Sequence, residues 1–508
     1  MKPAMVPHTE YQKSMLEQLQ EHYADGALLL HKNDWSVISK CYITDLSSVS
    51  ALVQHTYSDS TQGTIPRDPA SMMRAFLLML FVRPEEGITK WVQTLQTNRL
   101  YALLSGFEIG DVPGVGTFYD FFHRLWNLCD KNRKGHKQRR RKKPKKGRKP
   151  GEKAPTVTPN RVKRIVARAM KCCRTKRTLP TDSLFSLFQD AFLSVSAKLG
   201  LLGDVDQLTI AGDATPVTTA VYPRSKPACA CRAEERRNCG HPRHYSQPDT
   251  DTGWNSSHRH HYNGYSLYYL TAADSPYDLP LYPKFQPASR HDSVSFVLTF
   301  SEFSQRFTVG TTERILLDAA HDARAIYDFI IHHGCNPFID LNERTKKKDN
   351  NDKGYDDSKK ITISPQGIPI CPAGLEMKQN GYDHTQKRQK WRCPLMENRT
   401  TCTCENPCSN AKFGRTFHTS TKDDPRLFPE FPRSSEAWDR IFARRTTVER
   451  TNKRTKTDYK LEAGRHRSTM MWAIRTYAIM MCQHVDAWYS HREGEMHHLI
   501  STILPQAA

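Results

Sequence analysis

Residues 206–214 read DQLTIAGDA, a short apolar run that ends in an acid, Asp213. A second run, RILLDAA at 314–320, carries Asp318 after its apolar residues in the same way. Short apolar runs bounded by polar residues are typical of buried strands. Three further strands are predicted at 265–274, 279–285 and 336–342.

Helical patterns separate the later strands. Residues 293–307 and 322–333 repeat apolar side chains at helical spacing. Three consecutive strands followed by alternating strands and helices predict an α/β fold, in which a mixed sheet is flanked by helices. Because parallel strands end at one edge of a sheet, Asp213 and Asp318 are expected to converge there.

The first part of the chain, residues 1–130, predicts a helical N-terminal domain. Asp68 is placed to cap the apolar run that follows it, and residues 90–107 have helical spacing. Thr117 is expected to cap an aromatic helix at 118–128. We expect a helix-turn-helix-like bundle that binds DNA. A purely structural helical domain is the alternative.

The charge of the chain is strongly basic and uneven. The 508 residues carry a formal charge of +22, and residues 131–153 alone hold 14 Lys or Arg and one acid. Such a run has nothing apolar to bury, so residues 131–160 predict a disordered basic linker. A nucleic acid is the expected partner, and a solvated tail is the alternative. The densest group of candidate DNA-binding residues is Arg139, Arg140, Arg141, Lys142 and Lys143.

Several classes of protein are excluded by composition. The longest wholly apolar run, 75–82, is too short for a bilayer, which needs about 20 residues. The first 20 residues contain no apolar signal core. We therefore expect no membrane partner and a cytoplasmic location in a prokaryote, associated with the nucleoid when bound to DNA. In that reducing compartment the 14 cysteines are expected to be thiols or metal ligands.

The remaining segments complete the predicted domain order. A polar, cysteine-rich stretch interrupts the sheet domain as an insertion, and two long helices, at about 435–458 and 466–489, follow it. The predicted segments are connecting helices at 161–205, the first part of the sheet domain at 206–343, the Cys-rich insertion at 344–434 and the final helices of that domain at 435–508.

The first of these late helices carries a spaced set of charges. At roughly 100° per residue, Arg445, Glu449 and Lys456 share one narrow face. A carboxylate flanked by two cations suits a phosphodiester site, because the acid can bind metal while the cations hold phosphates or orient the acid.

These motifs together resemble the DDE transposases of bacterial insertion sequences. The resemblance is carried by Asp-Ala-Thr on the first strand, Asp-Ala-Ala-His-Asp on the fourth, and Phe-x2-Arg-x3-Glu-x6-Lys on the late helix. It covers roughly 206–460 and is closest to the branch with a Y-x2-R-x3-E-x6-K signature, in which Phe442 replaces the usual Tyr. It implies an RNase H-like fold, with an insertion such as 344–434 before the Glu.

The resemblance also implies roles for individual residues. Asp213, Asp318 and Glu449 correspond to the catalytic triad, which would hold two Mg²⁺ or Mn²⁺ ions. Arg445 and Lys456 correspond to the cations of the signature and are expected to contact DNA.

The implied function is cleavage and strand transfer at the ends of an insertion sequence. Two metal ions would activate water to free a 3′-OH, which then attacks target DNA. The implied partners are double-stranded DNA, as terminal inverted repeats and as target, and a second copy of the chain in the DNA complex. The alternatives are an RNase H-like nuclease without strand transfer and a catalytically silent, transposase-derived DNA-binding protein.

Two clusters of cysteine and histidine are candidate structural zinc sites, since Zn²⁺ takes four such ligands. The first is Cys229, Cys231, Cys239, His241 and His244. The second is Cys371, Cys393, Cys402, Cys404 and Cys408. The spacings are not those of common zinc fingers, and free thiols in loops are the alternative for both.

Two further acids lie near the motifs. Asp322 is expected to cap the helix that follows it. Asp292 is expected to cap the helix at 293–307, with a place near the active site as the alternative.

Overall fold

A computed structural model of the protein describes most of the chain. The described residues are 2–126, 161–171, 178–221, 247–342, 361–396 and 408–496, apart from positions 32, 61, 248, 257, 410, 412, 413 and 465. The predicted basic linker at 131–160, with its five candidate DNA-binding residues, lies outside them. So do the first Cys/His cluster and two members of the second, Cys402 and Cys404.

Seven helices form the N-terminal region. They are α1 (His8–Ala24), α2 (Asp34–Ile43), α3 (Ser47–Val53), α4 (Pro69–Val82), α5 (Ile88–Thr97), α6 (Arg99–Ser105) and α7 (Val115–Leu125). The predicted cap of α4 is confirmed, since a carboxylate oxygen of Asp68 accepts from the backbone N–H of Ser71 at 3.1 Å. Every residue from Pro69 to Leu80 is buried, so α4 is the central helix of this region.

Two predictions for this region are wrong in detail. The helix expected over 90–107 is interrupted at Asn98, whose backbone is extended and whose side chain caps α6 by accepting from Tyr101 N–H at 3.0 Å. Thr117 is not a cap, because α7 begins at Val115, directly after Gly114. In both places a local hydrogen bond or turn decides the boundary, whereas apolar spacing sets only the buried face.

One six-stranded sheet forms the centre of the second region. Its strands are β1 (Leu208–Thr218), β2 (Asp251–Asn255), β3 (His260–Ala272), β4 (Pro280–Pro287), β5 (Thr312–Leu317) and β6 (Asn336–Ile339). The order is β2-β3-β1-β5-β6, and β4 pairs with β3 beyond the part that β2 occupies. β1 is antiparallel to β3 and parallel to β5, and β6 is parallel to β5. The predicted mixed α/β sheet is therefore confirmed, although β2 was not expected.

Helices cover the sheet. They are α8 (Arg161–Lys171), α9 (Asp182–Phe188), α10 (Ser194–Lys198), α11 (Asp292–Phe303) and α12 (Arg324–His332). A π-helical segment, Gln189–Leu193, joins α9 to α10 within the predicted connecting helices at 161–205. α11 packs on β1, β3 and β4, and α12 packs beside β6. α8 lies outside this layer against α11 and α12.

The insertion contains five short strands in its described part. They are β7 (Thr362–Ile363), β8 (Pro369–Ile370), β9 (Lys378–Asp383), β10 (Arg388–Arg392) and β11 (Thr416–Ser420). β9, β10 and β11 form a three-stranded antiparallel sheet, and β7 pairs with β8. Trp391 of β10 is buried in a small apolar cluster that is separate from the main core.

The chain ends in α13 (Glu436–Phe442), α14 (Thr446–Lys453) and α15 (Thr469–His491). A 3₁₀ turn joins α13 to α14, and a π-helical turn, Arg454–Asp458, extends α14, as expected for one late helix. α15 is buried along most of its length. Arg475 on α15 donates to the backbone carbonyls of Pro84 and Lys460, and so joins the N-terminal helices to the sheet domain. Within the ranges given above, none of the helices combines the length and apolar character that crossing a bilayer requires.

The N-terminal core can be tested by truncating one ring. Phe76 on α4 is fully buried, with its ring centroid 4.8 Å from that of Phe122 on α7. We expect Phe76→Ala to lower the free energy of unfolding by about 3–5 kcal/mol in urea titrations, because it leaves a cavity. Tyr119→Ala, on the same helix as Phe122 but 41% exposed, is the control and should cost far less. Equal losses would contradict the packing described.

Candidate active site

Asp213 and Asp318 lie side by side at one edge of the sheet. Ala211 of β1 is the Cα partner of Leu316 of β5, so each aspartate lies two residues beyond this pair in the same direction. Asp318 follows directly after β5 ends at Leu317. The convergence expected from the sequence is a consequence of parallel pairing between these two strands.

The two carboxylates have opposite protonation tendencies. Burial, with the charge of Asp318 as the next cause, raises the pKa of Asp213 to about 7. Burial also acts to raise the pKa of Asp318, but the hydrogen bond and charge of His321, with the charge of Arg445, outweigh it and hold the pKa below its usual range. When the pair binds a proton, Asp213 therefore takes it first.

A buried histidine explains why Asp318 stays ionised. His321 has no exposed surface, and its Nδ1 lies 2.5 Å from a carboxylate oxygen of Asp318. An ionised carboxylate only accepts, so Nδ1 donates. On the other side of the ring, Nε2 is 2.9 Å from the hydroxyl of Tyr268 on β3. The same carboxylate oxygen of Asp318 accepts from the backbone N–H of Ala320 at 3.2 Å. These contacts fix the Asp318 side chain on the sheet edge.

Gly212 provides the space for this arrangement. A Cβ atom at Gly212 would lie 2.8 Å from the Tyr268 hydroxyl and 3.1 Å from a methyl group of Leu317. Real Cβ atoms essentially never lie as close as 2.8 Å to another atom, so a side chain here would require Tyr268 to shift from its position beside His321. The absence of a side chain at Gly212 therefore leaves the space that the contact between Tyr268 and His321 needs.

Asp292 is a third carboxylate beside the pair, and its predicted role as a cap is wrong. The cap of α11 is His291, whose side chain accepts from Ser293 N–H at 3.3 Å, while Asp292 is the first helical residue. Burial raises the pKa of Asp292, against the charges of His321 and His291. The hydroxyl of Ser293 donates to Ala320 O at 2.7 Å, which ties the start of α11 to the turn after Asp318. The alternative place near the active site is therefore the observed one.

The late helix brings Arg445 and Glu449 to the same strands. The 3₁₀ turn before α14 packs against β1 and β5, and α14 packs on β1 and β3. Arg445 Nη2 is 2.8 Å from Glu449 Oε1, and the Glu449 side chain is half-exposed. Because the charge of Arg445 also lowers the pKa of Asp318, the guanidinium interacts with both acids.

Lys456 turns toward β1. Its Nζ donates to Pro216 O at 2.8 Å and lies 3.5 Å from a carboxylate oxygen of Glu462. Glu462 in turn accepts from the backbone N–H of Thr218 at 2.8 Å. The cation is thus held by the end of the strand that carries Asp213. Phe442 stacks on Trp438 with ring centroids 5.6 Å apart.

Asp322 does not cap α12, contrary to the prediction from the sequence. Its carboxylate accepts two hydrogen bonds from Arg426, at 2.7 and 2.8 Å, and another from the backbone N–H of Asn342. The residue before α12 is Ala323, which cannot cap through its side chain. This buried bidentate pair fastens the last part of the insertion to the sheet domain.

A divalent cation fits part of this site. Asp213 is a buried carboxylate whose charge is opposed by Asp318 and Asp292, a combination that a bound cation would relieve. The third member of the predicted triad is differently placed, because the carboxylate of Glu449 is held by Arg445. Over the described ranges, no three His, Cys, Asp or Glu side chains are grouped closely enough to hold a metal ion.

The described cysteines of the second cluster do not form a zinc site by themselves. Cys371 and Cys393 are buried in the insertion, and Cys408 is half-buried. These three are not grouped as metal ligands with one another or with other residues that the structure describes. Since Cys402 and Cys404 lie outside the described residues, the full cluster is not tested.

Comparison with known protein families identifies the chain. Residues 207–482, more than half of its length, match the family described as Transposase DDE domain. The chain belongs to this family. No curated protein matches it. The RNase H-like fold implied by the resemblance is confirmed, since the mixed sheet centred on β1 and its flanking helices fall within the match. DDE transposases act on DNA and generally use divalent metal ions such as Mg²⁺.

Sequence reasoning missed three residues of the site. Gly212 precedes Asp213 within the motif, and His321 lies within DAAHD, so both were visible as residues but had no assigned role. Tyr268 had no signal at all, because only the antiparallel pairing of β3 with β1 brings it beneath the acids.

Removal of the Asp213 charge should stabilise the metal-free protein. The folded-state pKa of about 7 lies above the ordinary value of 3.8, so the charged form is disfavoured by folding. The penalty is absent below pH 4, grows between pH 4 and 7, and is complete above pH 7. With EDTA present, we expect Asp213→Asn to raise the free energy of unfolding by about 2–4 kcal/mol at pH 8.

The same measurement at pH 4 should show little gain, because Asp213 is then protonated in the folded protein and only partly ionised in the unfolded chain. Asp206→Asn, at an exposed acid just before β1, serves as the control and should change neither value appreciably. A gain of equal size at both pH values would contradict the assigned burial of charge.

Proposed function

We propose that this protein is the transposase of an insertion sequence, which cuts the ends of its element and joins them to target DNA. The observation that carries the proposal is the electrostatic coupling of Asp213 and Asp318 on neighbouring parallel strands, beneath a helix that carries Arg445 and Glu449. Carboxylates concentrated in a strongly basic chain suit metal-assisted cleavage of a polyanion.

The side chains of the site have different proposed roles. Asp213, Asp318 and Glu449 would hold the metal, with Asp318 fixed by His321. Arg445 orients Glu449 until the site is loaded. Lys456 holds the end of β1 through Pro216 O, so its expected contact with DNA is proposed together with a positioning role. Two Mg²⁺ or Mn²⁺ ions, when bound, would activate the attacking oxygen and stabilise the leaving one.

The proposal includes the DNA partners expected from the sequence. The N-terminal helices and the basic segment 131–160, with Arg139 to Lys143, would bind the terminal inverted repeats. Strand transfer at two ends requires two active sites, so a dimer is proposed for the DNA complex. The signature branch with Y-x2-R-x3-E-x6-K is proposed on the spacing of Arg445, Glu449 and Lys456.

Strand cleavage and joining test this function. The substrate is a labelled duplex made from the DNA that flanks the gene, where inverted repeats bracketed by short direct repeats are expected. With Mg²⁺ or Mn²⁺, the unsubstituted protein should release a 3′-OH end and join it to a plasmid. We expect Asp213→Ala and Glu449→Gln each to lower both rates more than about 100-fold, since loss of a residue that only hydrogen-bonds to a metal ligand already costs roughly 10- to 100-fold.

Matched controls are available for both substitutions. Asp206→Ala removes an exposed acid just before β1, and Glu436→Gln removes an exposed acid from the first turn of α13. Both should keep the parent rates. Undiminished activity in Asp213→Ala would refute the assigned site. Cleavage without joining would favour the nuclease, and absence of both in the parent would favour a silent DNA-binding protein.

Structural zinc in the insertion is proposed separately, on the second cluster of Cys371, Cys393, Cys402, Cys404 and Cys408. Elemental analysis of the purified protein should find about one zinc per chain for this cluster. Cys402→Ser with Cys404→Ser should remove it, since two of four ligands would be lost. Zinc that persists in this double variant would point to the first Cys/His cluster. A parent protein without zinc would exclude both.

A further inference from the structure

Helix α8 has one apolar face and one basic face. Val162, Ile165, Val166 and Met170 pack toward the main core. The helix, RVKRIVARAMK, contains five cations and no acid. At roughly 100° per residue, four of these cations fall within about 80° on the side opposite the apolar residues. They are Arg161, Arg164, Arg168 and Lys171, and all four are exposed.

These cations have no acidic partner within the described part of the chain. None of the four makes an ion pair or side-chain hydrogen bond with a residue in the described part of the chain. The contrast is with Arg445 and Lys456, whose charges are taken up by Glu449 and Glu462. Four exposed cations on one face of a helix repel one another, so a polyanion that neutralises them binds favourably.

A cavity lies beside the last turn of α8. Met170, in its last turn, lines a cavity of about 500 Å³ together with the exposed Lys387 and Lys422 of the insertion. The two acids in the wall of this cavity, Asp328 and Glu430, are each paired with a basic side chain. Two exposed lysines of the insertion therefore lie near the end of α8, on the side of its apolar face.

We propose that the outer face of α8, formed by Arg161, Arg164, Arg168 and Lys171, binds the phosphate backbone of duplex DNA. The four cations span about 15 Å, which covers about four phosphates of one strand at 3.4 Å each along the axis. Single-stranded nucleic acid is usually gripped by aromatic stacking, and α8 has no aromatic residue. This binding rests on the proposed function and is independent of base sequence.

The salt dependence of DNA binding tests the proposal. The probe is a fluorescein-labelled 40-base-pair duplex of random sequence, titrated with the full chain between 50 and 300 mM NaCl and followed by fluorescence anisotropy. Each phosphate contact contributes about 0.9 to the slope of log K against log salt. We expect the fourfold variant Arg161→Gln, Arg164→Gln, Arg168→Gln, Lys171→Gln to reduce the slope by about 3. Glutamine has a helix propensity close to that of Arg and Lys, and the four side chains are exposed, so we expect the variant to fold normally.

Two control variants distinguish DNA binding at the α8 face from a general effect of the net charge of the chain. Replacement of Lys198, Arg259, Arg440 and Arg492 by Gln removes the same charge from exposed positions outside α8 and the N-terminal helices, and should leave the slope within about 1 of the parent. Replacement of the three arginines of the α8 face by Lys should keep the slope, because phosphate contacts need only a cation.

Each outcome of the salt titration either supports or overturns the proposed DNA-binding surface. A slope that falls only in the α8 variant supports the surface. An unchanged slope in that variant, or an equal fall in the control at distant sites, overturns it and leaves the proposed function intact. Loss of self-association in the α8 variant with an unchanged slope would assign the face to a second copy and also overturn the proposal. A parent that binds no duplex would overturn the proposed function and this inference together.

Discussion

The coupling of two carboxylates on parallel strands is the constraint on which the rest of the site depends. β1 and β5 bring Asp213 and Asp318 to one edge, where burial and like charge oppose ionisation of both. The cost of holding two such charges together is relieved in part by His321, which keeps Asp318 ionised and leaves Asp213 as the group that takes the proton. The metal-free fold therefore stores an unfavourable charge that a divalent cation would offset.

Arg445 has a central position in this balance. It pairs with Glu449 and also acts on Asp318, so in the metal-free protein a single guanidinium compensates acids on two different elements. Such a contact holds the late helix against the strands without closing the site, because Glu449 remains half-exposed.

The sequence predicted the elements of the site better than their contacts. Short apolar runs ending in Asp213 and Asp318 sufficed for the strands and their common edge, because parallel pairing requires it. Tyr268 could not be placed, since its contact with His321 depends on the register between β3 and β1. Asp322 was misread as a cap because its true partner, Arg426, is 104 residues away. Residue roles that depend on the neighbouring sequence could be predicted. Roles that depend on contacts between residues distant in the chain could not.

The same distinction applies to the charge of the chain. A net charge of +22 indicates a polyanionic partner but does not distinguish cations that serve the fold from cations that serve a ligand. The contacts make that distinction, because Arg445, Lys456 and Arg426 are each neutralised by an acid close to the site. Part of the excess positive charge lies on the outer face of α8. The four cations there have no acidic partner among the residues that the structure describes. Basic residues near the acids pair with carboxylates of the site, whereas the exposed cations of α8 form the proposed DNA-binding surface.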